Sequence, residues 1–131
     1  MVLVRYIVTD TAVAIDFYAK LLGFELVMHP SPGFAMLTRG DLRLALNVPN
    51  TPGSGGGAPM PDGTQQAPGG WNRFSIEVND LAALVENLRE KGVRFRGDIV
   101  IGTGGKQVLL EDPSGNPVEL FEPILPEARL P

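Results

Sequence analysis

Few side chains in this sequence could do acid–base, nucleophilic or metal chemistry. There are no cysteines, so disulfides, thiolate metal sites and a cysteine nucleophile are excluded. The single histidine, His29, is the side-chain type best suited to proton transfer near neutrality. It directly precedes Pro30 in a turn sequence, which predicts a surface histidine. No serine stands in a nucleophile-elbow motif, so we do not expect a Ser-His-Asp triad.

Charged side chains inside predicted strands are stronger candidates for a binding site. Arg5 and Arg73 occupy the first strand of the two halves of the chain, and Glu119 occupies the last strand. A carboxylate can bind a metal ion, whereas a guanidinium has only donors. Arg5 alternates onto the same strand face as Leu3. We interpret Arg5 either as recognising a polar group of a ligand or as forming a structural ion pair with Glu77.

Two aromatic residues are candidates for the wall of a ligand pocket. Trp71 is the only tryptophan and directly follows a Gly/Pro-rich stretch, while Phe121 lies in the last predicted strand. Ligand pockets are lined mainly by apolar and aromatic side chains. Packing in the core is the alternative for each residue taken singly.

The elements that must position these residues occur twice. Residues 2–24 read as a strand, a helix capped by Asp10 and a glycine-marked exit into a second strand, and residues 73–95 repeat this order with Asp80 as the cap. The two aspartates are 70 residues apart. A repeated supersecondary unit predicts a repeated fold.

Each half continues with short strands and turn sequences, which predicts two β-α-β-β-β modules and an α+β fold. Module 1 covers residues 2–49 and module 2 covers residues 71–123. Residues 50–70 form a Gly/Pro linker, interpreted either as a lid over a pocket or as a mobile connector. A proline-rich tail occupies residues 124–131.

Composition excludes several classes of partner. The net charge is −4, and no Lys/Arg cluster indicates nucleic-acid binding. No apolar run approaches the roughly 20 residues of a membrane span. The first residues lack the features of a signal peptide. The sequence therefore predicts a cytoplasmic protein without a membrane or nucleic-acid partner.

The repeat, with FYAKLLGF in the first half and EDPSGNPVELFE closing the second, resembles the vicinal oxygen chelate superfamily over residues 2–123. That superfamily includes glyoxalase I, extradiol dioxygenases and bleomycin-binding resistance proteins. The resemblance implies two tandem βαβββ modules whose curved mixed sheet surrounds a cleft, and a homodimer. Because many chemistries share this fold, function must be argued from the site.

The resemblance also implies where a divalent metal would bind. In metal-dependent members, ligands come from the first and fourth strands of each module, and the first-strand position lies seven residues before the capping aspartate. Here those first-strand positions are Leu3 and Arg73. The fourth-strand position of module 1 is Ala45 or Asn47, and that of module 2 is Glu119, the only capable ligand of the set. No cofactor is expected, and a divalent metal is disfavoured.

If the family geometry holds, Arg73 and Glu119 face the same cleft, and we expect them to form an ion pair where a metal would otherwise sit. Exposure of Arg73 to solvent at a strand edge is the alternative. A role in catalysis is not assigned to any residue, although Glu119 is the candidate if the protein is an enzyme. The expected ligand-binding residues are Leu3, Arg5, Asn47, Trp71, Arg73, Glu119 and Phe121.

These features predict a metal-free protein that sequesters a small hydrophobic or polycyclic metabolite or antibiotic in the cleft between the modules. The first alternative is a lyase, isomerase or dioxygenase of the glyoxalase type, acting through a metal or through Glu119. The second is a dimeric scaffold with a vestigial cleft.

Overall fold

The computed structural model describes residues 1–129, and the last two residues of the predicted tail lie outside this part of the chain. The chain forms two compact units. The first comprises Met1–Gly69 with Pro113–Asn116, and the second comprises Gly70–Asp112 with the chain from Pro117 onward. The predicted linker therefore belongs to the first unit up to Gly69, and its last residue, Gly70, belongs to the second.

The first unit contains one helix and a four-stranded sheet. Its elements are β1 (Leu3–Ile7), α1 (Thr11–Leu22), β2 (Glu25–Ser31), β3 (Phe34–Arg39) and β4 (Leu42–Asn47), with the strands in the order β1-β4-β3-β2. β1 pairs with β4 in parallel, and the other pairs are antiparallel.

Local sequence determines both ends of α1. The Asp10 carboxylate accepts a hydrogen bond from the Val13 amide at 3.0 Å, which satisfies a donor that the first helical turn leaves free. Gly23 ends the helix with φ 74°, a left-handed conformation that glycine adopts without steric cost. Tyr18 is fully buried and packs edge-to-face against Phe17 and Phe24.

The sequence predicts that the strand after α1 ends before Pro30, and this boundary is wrong. β2 continues through Pro30 to Ser31, with irregular register from Leu26 onward. β2 is an edge strand, which pairs with another strand on one side only. Proline has no amide hydrogen to donate, and an edge strand tolerates this where a central strand would lose a hydrogen bond.

The second unit repeats this arrangement, although three of its five strands have only two or three residues. Its elements are β5 (Ser75–Glu77), α2 (Leu81–Glu90), β6 (Arg94–Phe95), β7 (Val100–Ile101), β8 (Gly105–Glu111) and β9 (Pro117–Pro123). The sheet order is β5-β9-β8-β6, and β7 also pairs with β8. Asp80 caps α2 by accepting from the Ala83 amide at 3.1 Å. The predicted α+β fold of two βαβββ modules is confirmed, each module with its own sheet.

Alternating side chains give each sheet a helix-facing side and an opposite side. The helix-facing side of the first sheet is the core, where Leu44, Leu46 and Leu37 are completely buried. Leu120 and Val108 hold the same place in the second sheet under α2. Facing away from the helices are Leu3, Arg5, Ile7, Arg43, Ala45 and Asn47 in the first unit, and Ser75, Glu77, Glu119 and Phe121 in the second.

The Gly/Pro linker is folded onto the first unit. A short 3₁₀ helix spans Gly55–Gly57, and the Gln66 side-chain amide donates to the carbonyls of Gly56 (2.9 Å) and Ala58 (2.8 Å). Ser54 and Gly57 are buried. Hydrogen bonds and burial thus hold these parts of the linker against the first unit, and its role as a lid over a pocket stays a prediction.

The turn between β8 and β9 explains why a short piece of the second half belongs to the first unit. The Asn116 side-chain amide donates to the Ile7 carbonyl at 2.8 Å, and the Ser114 hydroxyl accepts from the Thr9 amide at 2.9 Å. Serine and asparagine are common in turns because their side chains form local hydrogen bonds with the backbone. In the structure they also satisfy backbone groups at the end of β1.

Within residues 1–129, neither helix has the length and apolar character needed to cross a lipid bilayer.

Candidate functional site

Arg73 and Glu119 form the ion pair that the sequence predicts. The guanidinium donates from Nη2 and Nε to the same carboxylate oxygen, Oε1, at 2.9 and 3.2 Å. β5 and β9 bring the two residues together, since Ser75 lies opposite Glu119 in their parallel register. The side chains are only 28% and 14% exposed. Both charges are therefore partly desolvated, and the charge-assisted hydrogen bonds between them offset the free-energy cost of that desolvation.

Trp71 is held beside this pair by the arginines of the second unit. Arg73 Nη1 donates to the Trp71 carbonyl at 3.3 Å, and the guanidinium of Arg96 lies 4.7 Å from the centre of the Trp71 ring. Arg96 is itself anchored, because it donates to Glu111 at 2.9 Å and to the Gly70 carbonyl at 2.6 Å. Trp71 is nevertheless 67% exposed. The indole is therefore a positioned aromatic surface on which a planar molecule could stack.

Phe121 lies on the same side of the second sheet, opposite Gln107 of β8. Its ring covers Gly105, where an added β-carbon would lie 2.7 Å from the nearest ring atom. Glycine at this position therefore leaves room for the ring. Phe121 adds apolar surface to the side of the sheet that carries Glu119.

In the first unit, Arg5 is held by Asn47. Arg5 Nη1 donates to Asn47 Oδ1 at 2.6 Å. The amide nitrogen of Asn47 lies within hydrogen-bonding distance of the Gly33 carbonyl (3.4 Å) and the Ser54 hydroxyl (3.3 Å). Asn47 is 1% exposed, so the polar atoms that sequence analysis assigned to a ligand are engaged inside the protein. Its role in ligand binding stays a prediction, and in this structure it positions Arg5.

Strand register decides which residue of β4 corresponds to Glu119. Arg5 lies opposite Ala45, and Ser75, 70 residues after Arg5, lies opposite Glu119. Ala45 is therefore the equivalent of Glu119. Asn47 lies two residues further along β4. The sequence left Ala45 and Asn47 open as the fourth-strand position of module 1, and Asn47 is the wrong one.

The residues at the implied metal positions do not fit a divalent metal. Leu3 and Ala45 have no ligand atom, and Arg73 has only donors. Glu119 has a carboxylate, but its Oε1 already accepts two hydrogen bonds from Arg73. Across residues 1–129, no group of three or more His, Asp or Glu side chains is placed to hold a metal ion.

A separate cavity of about 630 Å³ lies where α1 begins, and it was not predicted. It includes His29, which is exposed, as the sequence predicts. The Thr11 hydroxyl donates its only proton to the Pro32 carbonyl at 2.9 Å, so at 3.0 Å it accepts from Nε2 of His29. The other lining residues are Thr9, Asp10, Ala12, Pro30, Ser31, Val48 and Thr51.

Sequence reasoning missed two arginines on the sheet sides that face away from the helices. Arg96 anchors Trp71, and Arg43 shares the side of β4 that carries Ala45. Side chains alternate between the two faces of a strand, so the sequence of β4 could have placed Arg43 on the same face as Ala45. For Arg96 the pairing of β6 with β8 was needed, because this pairing brings Arg94 opposite Glu111 and Arg96 next to it.

Comparison with solved structures supports the fold. A member of the glyoxalase/bleomycin resistance protein/dioxygenase superfamily from Sphaerobacter thermophilus DSM 20745 is 28% identical, with a TM-score of 0.70 and coverage of 92% of this chain and 94% of that one. Lactoylglutathione lyase from Agrobacterium tumefaciens is 20% identical (TM-score 0.71, coverage 93% and 92%). TnmS3, an antibiotic binding protein from Streptomyces sp. CB03234, is 24% identical (TM-score 0.64, coverage 92% and 93%). The last two show likeness of fold alone.

A comparison with functionally curated proteins finds no match. A family model does match, over residues 1–120, which is most of the chain and includes both modules. The chain therefore belongs to the Glyoxalase/Bleomycin resistance protein/Dioxygenase superfamily, in agreement with the resemblance of its motifs.

Proposed function

We propose that this protein binds a small molecule with a planar, apolar body, such as a polycyclic metabolite or antibiotic, and does so without a metal ion. The expected role is sequestration of that molecule. The binding surface includes Trp71 and the side of the second sheet that carries Phe121 and Glu119.

The observation that carries the proposal is the ion pair between Arg73 and Glu119. A carboxylate whose Oε1 accepts two guanidinium hydrogen bonds cannot offer that oxygen to a metal ion without losing them. The pair therefore supports binding over metal-assisted catalysis. It also leaves the sheet surface electrically neutral at that position, which suits an apolar ligand.

Two further observations support the proposal. Trp71 is exposed yet fixed by Arg96, and a positioned aromatic ring costs little ordering entropy when a ligand stacks on it. One protein of similar fold, TnmS3, is an antibiotic binding protein, although at 24% identity this shows only that the fold accommodates such a role.

The test uses the single tryptophan as a reporter. The purified protein is titrated with planar aromatics (an anthraquinone and a naphthoquinone) and with a saturated compound of similar size. We expect the aromatics to quench Trp71 fluorescence and to raise the melting temperature. At a ligand concentration 100 times the dissociation constant, the stabilisation is about 2.7 kcal/mol.

The Trp71→Leu variant, followed by thermal shift, should bind the aromatics about fivefold more weakly, since stacking contributes about 1 kcal/mol beyond buried area. Ile101→Ala is the matched control, because Ile101 is a 72% exposed apolar residue of the same unit outside the proposed surface. Stabilisation by Zn²⁺, Mn²⁺ or Ni²⁺ that Glu119→Gln abolishes would contradict the proposal. Equal binding by both variants would show that Trp71 is not part of the binding surface.

We also propose that the protein is a homodimer that associates through β2. This edge strand exposes Leu26 (48%), Val27 (51%) and Met28 (44%) in succession. Unpaired edge strands with exposed apolar side chains readily associate with another chain.

A further inference from the structure

Arg5 is a cation without a carboxylate partner among residues 1–129. Its one hydrogen bond within residues 1–129 goes from Nη1 to the neutral side chain of Asn47, and no Asp or Glu of this part of the chain lies within ion-pair distance of it. The guanidinium has five N–H donors, so four are not used by residues 1–129. Arg5 is an exposed residue, so those of its donors that do not face Asn47 or Gly56 are open to a ligand.

The position of Arg5 is nevertheless fixed. Asn47, which accepts from Nη1, is buried, and its own amide is held by Ser54 and Gly33. On another side the guanidinium lies directly against the backbone of Gly56, where any β-carbon would collide with it. The ordering of this long side chain is thus achieved by the fold before a ligand arrives.

A second cation lies on the same side of the first sheet. Arg43 lies opposite Leu3, two residues along β4 from the partner of Arg5, and it makes no ion pair within the described residues. The nearest acidic position on this side is Glu25 in β2, which Thr38 of β3 separates from Arg43. Two arginines without acidic partners therefore share one face, although the chain as a whole has a net charge of −4.

The rest of this face is mostly apolar. Its side chains on neighbouring strands are Leu3, Ile7, Phe34 and Met36. An apolar surface with a fixed guanidinium is complementary to a molecule that has a hydrophobic body and one oxyanion, because the oxyanion gains charge-assisted hydrogen bonds while the body covers the apolar side chains.

From these observations we infer that Arg5 is an anion-recognition residue and that a small molecule bound to this face of the first sheet carries a carboxylate or sulfonate group. The inference rests on the proposed small-molecule binding and adds to it the charge that the first unit selects. The competing explanation is that Arg5 only ties β1 to β4 and supports the linker.

The experiment compares two fluorescent probes with nearly the same aromatic body. 8-Anilinonaphthalene-1-sulfonate carries a sulfonate, and N-phenyl-1-naphthylamine is neutral. We expect Arg5→Met to weaken binding of the sulfonate probe about tenfold or more, as expected for loss of a hydrogen bond to a charged group. Binding of the neutral probe should change by less than about twofold, because the methylene stem is retained.

Two neighbouring glycines provide a matched pair of variants. Gly56→Ala places a methyl group where the guanidinium of Arg5 lies, so Arg5 must leave Asn47, and the sulfonate probe should bind more weakly. Gly55→Ala meets no atom within 4 Å and should bind both probes as the wild type does. Neither glycine has a positive φ, so alanine is not strained at either position.

The outcomes separate this inference from the proposed function. Wild-type protein that binds both probes equally, or an Arg5→Met variant that weakens both to the same extent, overturns the inference and leaves small-molecule binding intact. Wild-type protein that binds neither probe overturns the inference and also contradicts the proposed function. If Gly56→Ala does not fold, the comparison of Arg5→Met with the wild type still decides the question.

Discussion

The ion pair between Arg73 and Glu119 should stabilise the fold measurably, and a double-mutant cycle with Arg73→Met and Glu119→Gln tests this. Two unit charges about 3 Å apart attract by about 5 kcal/mol at an effective dielectric constant of 20. Desolvation of the two side chains, which are 28% and 14% exposed, offsets much of this attraction. The net stabilisation should be similar to that of other hydrogen bonds to charged groups. We therefore expect a coupling free energy of about 2 kcal/mol between Arg73 and Glu119.

The assay is urea unfolding followed by far-ultraviolet circular dichroism, which does not depend on Trp71. A second cycle on Lys20 and Asp16 provides the control, because this ion pair is 3.5 Å apart with side chains 73% and 67% exposed. Its coupling should be about 0.3 to 0.5 kcal/mol and should disappear in 1 M salt. The coupling between Arg73 and Glu119 should largely persist in that salt. A coupling as small and as salt-sensitive as that of the control would refute the argument that this pair is desolvated and structural.

Two other predictions concern the linker and the edge strand. Hydrogen bonds from Thr64, first from its side chain and then from its backbone, lower the pKa of Asp62. These bonds therefore stabilise the turn at any pH above the ordinary carboxyl pKa. The stabilisation is lost as the pH falls through the lowered pKa of Asp62. Thr64→Ala should raise the pKa of Asp62 in a carboxyl-carbon NMR titration, and an unchanged midpoint would contradict this. Light scattering should give the mass of a homodimer, and Met28→Lys in β2 should shift it toward the monomer. A wild-type monomer would exclude association through this strand.

Most of the fold could be predicted because its signals are local. Asp10 and Asp80 begin the helices through hydrogen bonds to amides three residues later, and Gly23 ends one through a left-handed φ. These interactions depend on neighbouring residues alone, so the sequence pattern is sufficient. The end of β2 could not be predicted from neighbouring residues. Proline is tolerated there because β2 is an edge strand, and the position of a strand in the sheet is a property of the whole sheet.

The candidate site was predicted less completely because its contacts join residues that are distant in the chain. The pair of Arg73 with Glu119 was expected from the resemblance, which supplied the register. The support of Trp71 by Arg96 depends on the hairpin of β6 and β8, and the burial of Asn47 depends on how the linker folds. Side-chain chemistry indicated that these residues could bind something, but tertiary packing decided which polar atoms are already satisfied.

The two modules use arginine differently at corresponding strands, and this difference has a consequence for ligand choice. In the second unit the arginines on the sheet face have carboxylate partners, since Arg73 pairs with Glu119, and Arg94 and Arg96 with Glu111. In the first unit the position of Glu119 is occupied by Ala45, so Arg5 lies opposite a methyl group, and the described part of the chain offers it no acidic partner. On the proposed function, the sheet face of the second unit would select a ligand for its shape and aromatic surface. The sheet face of the first unit would select for negative charge through Arg5.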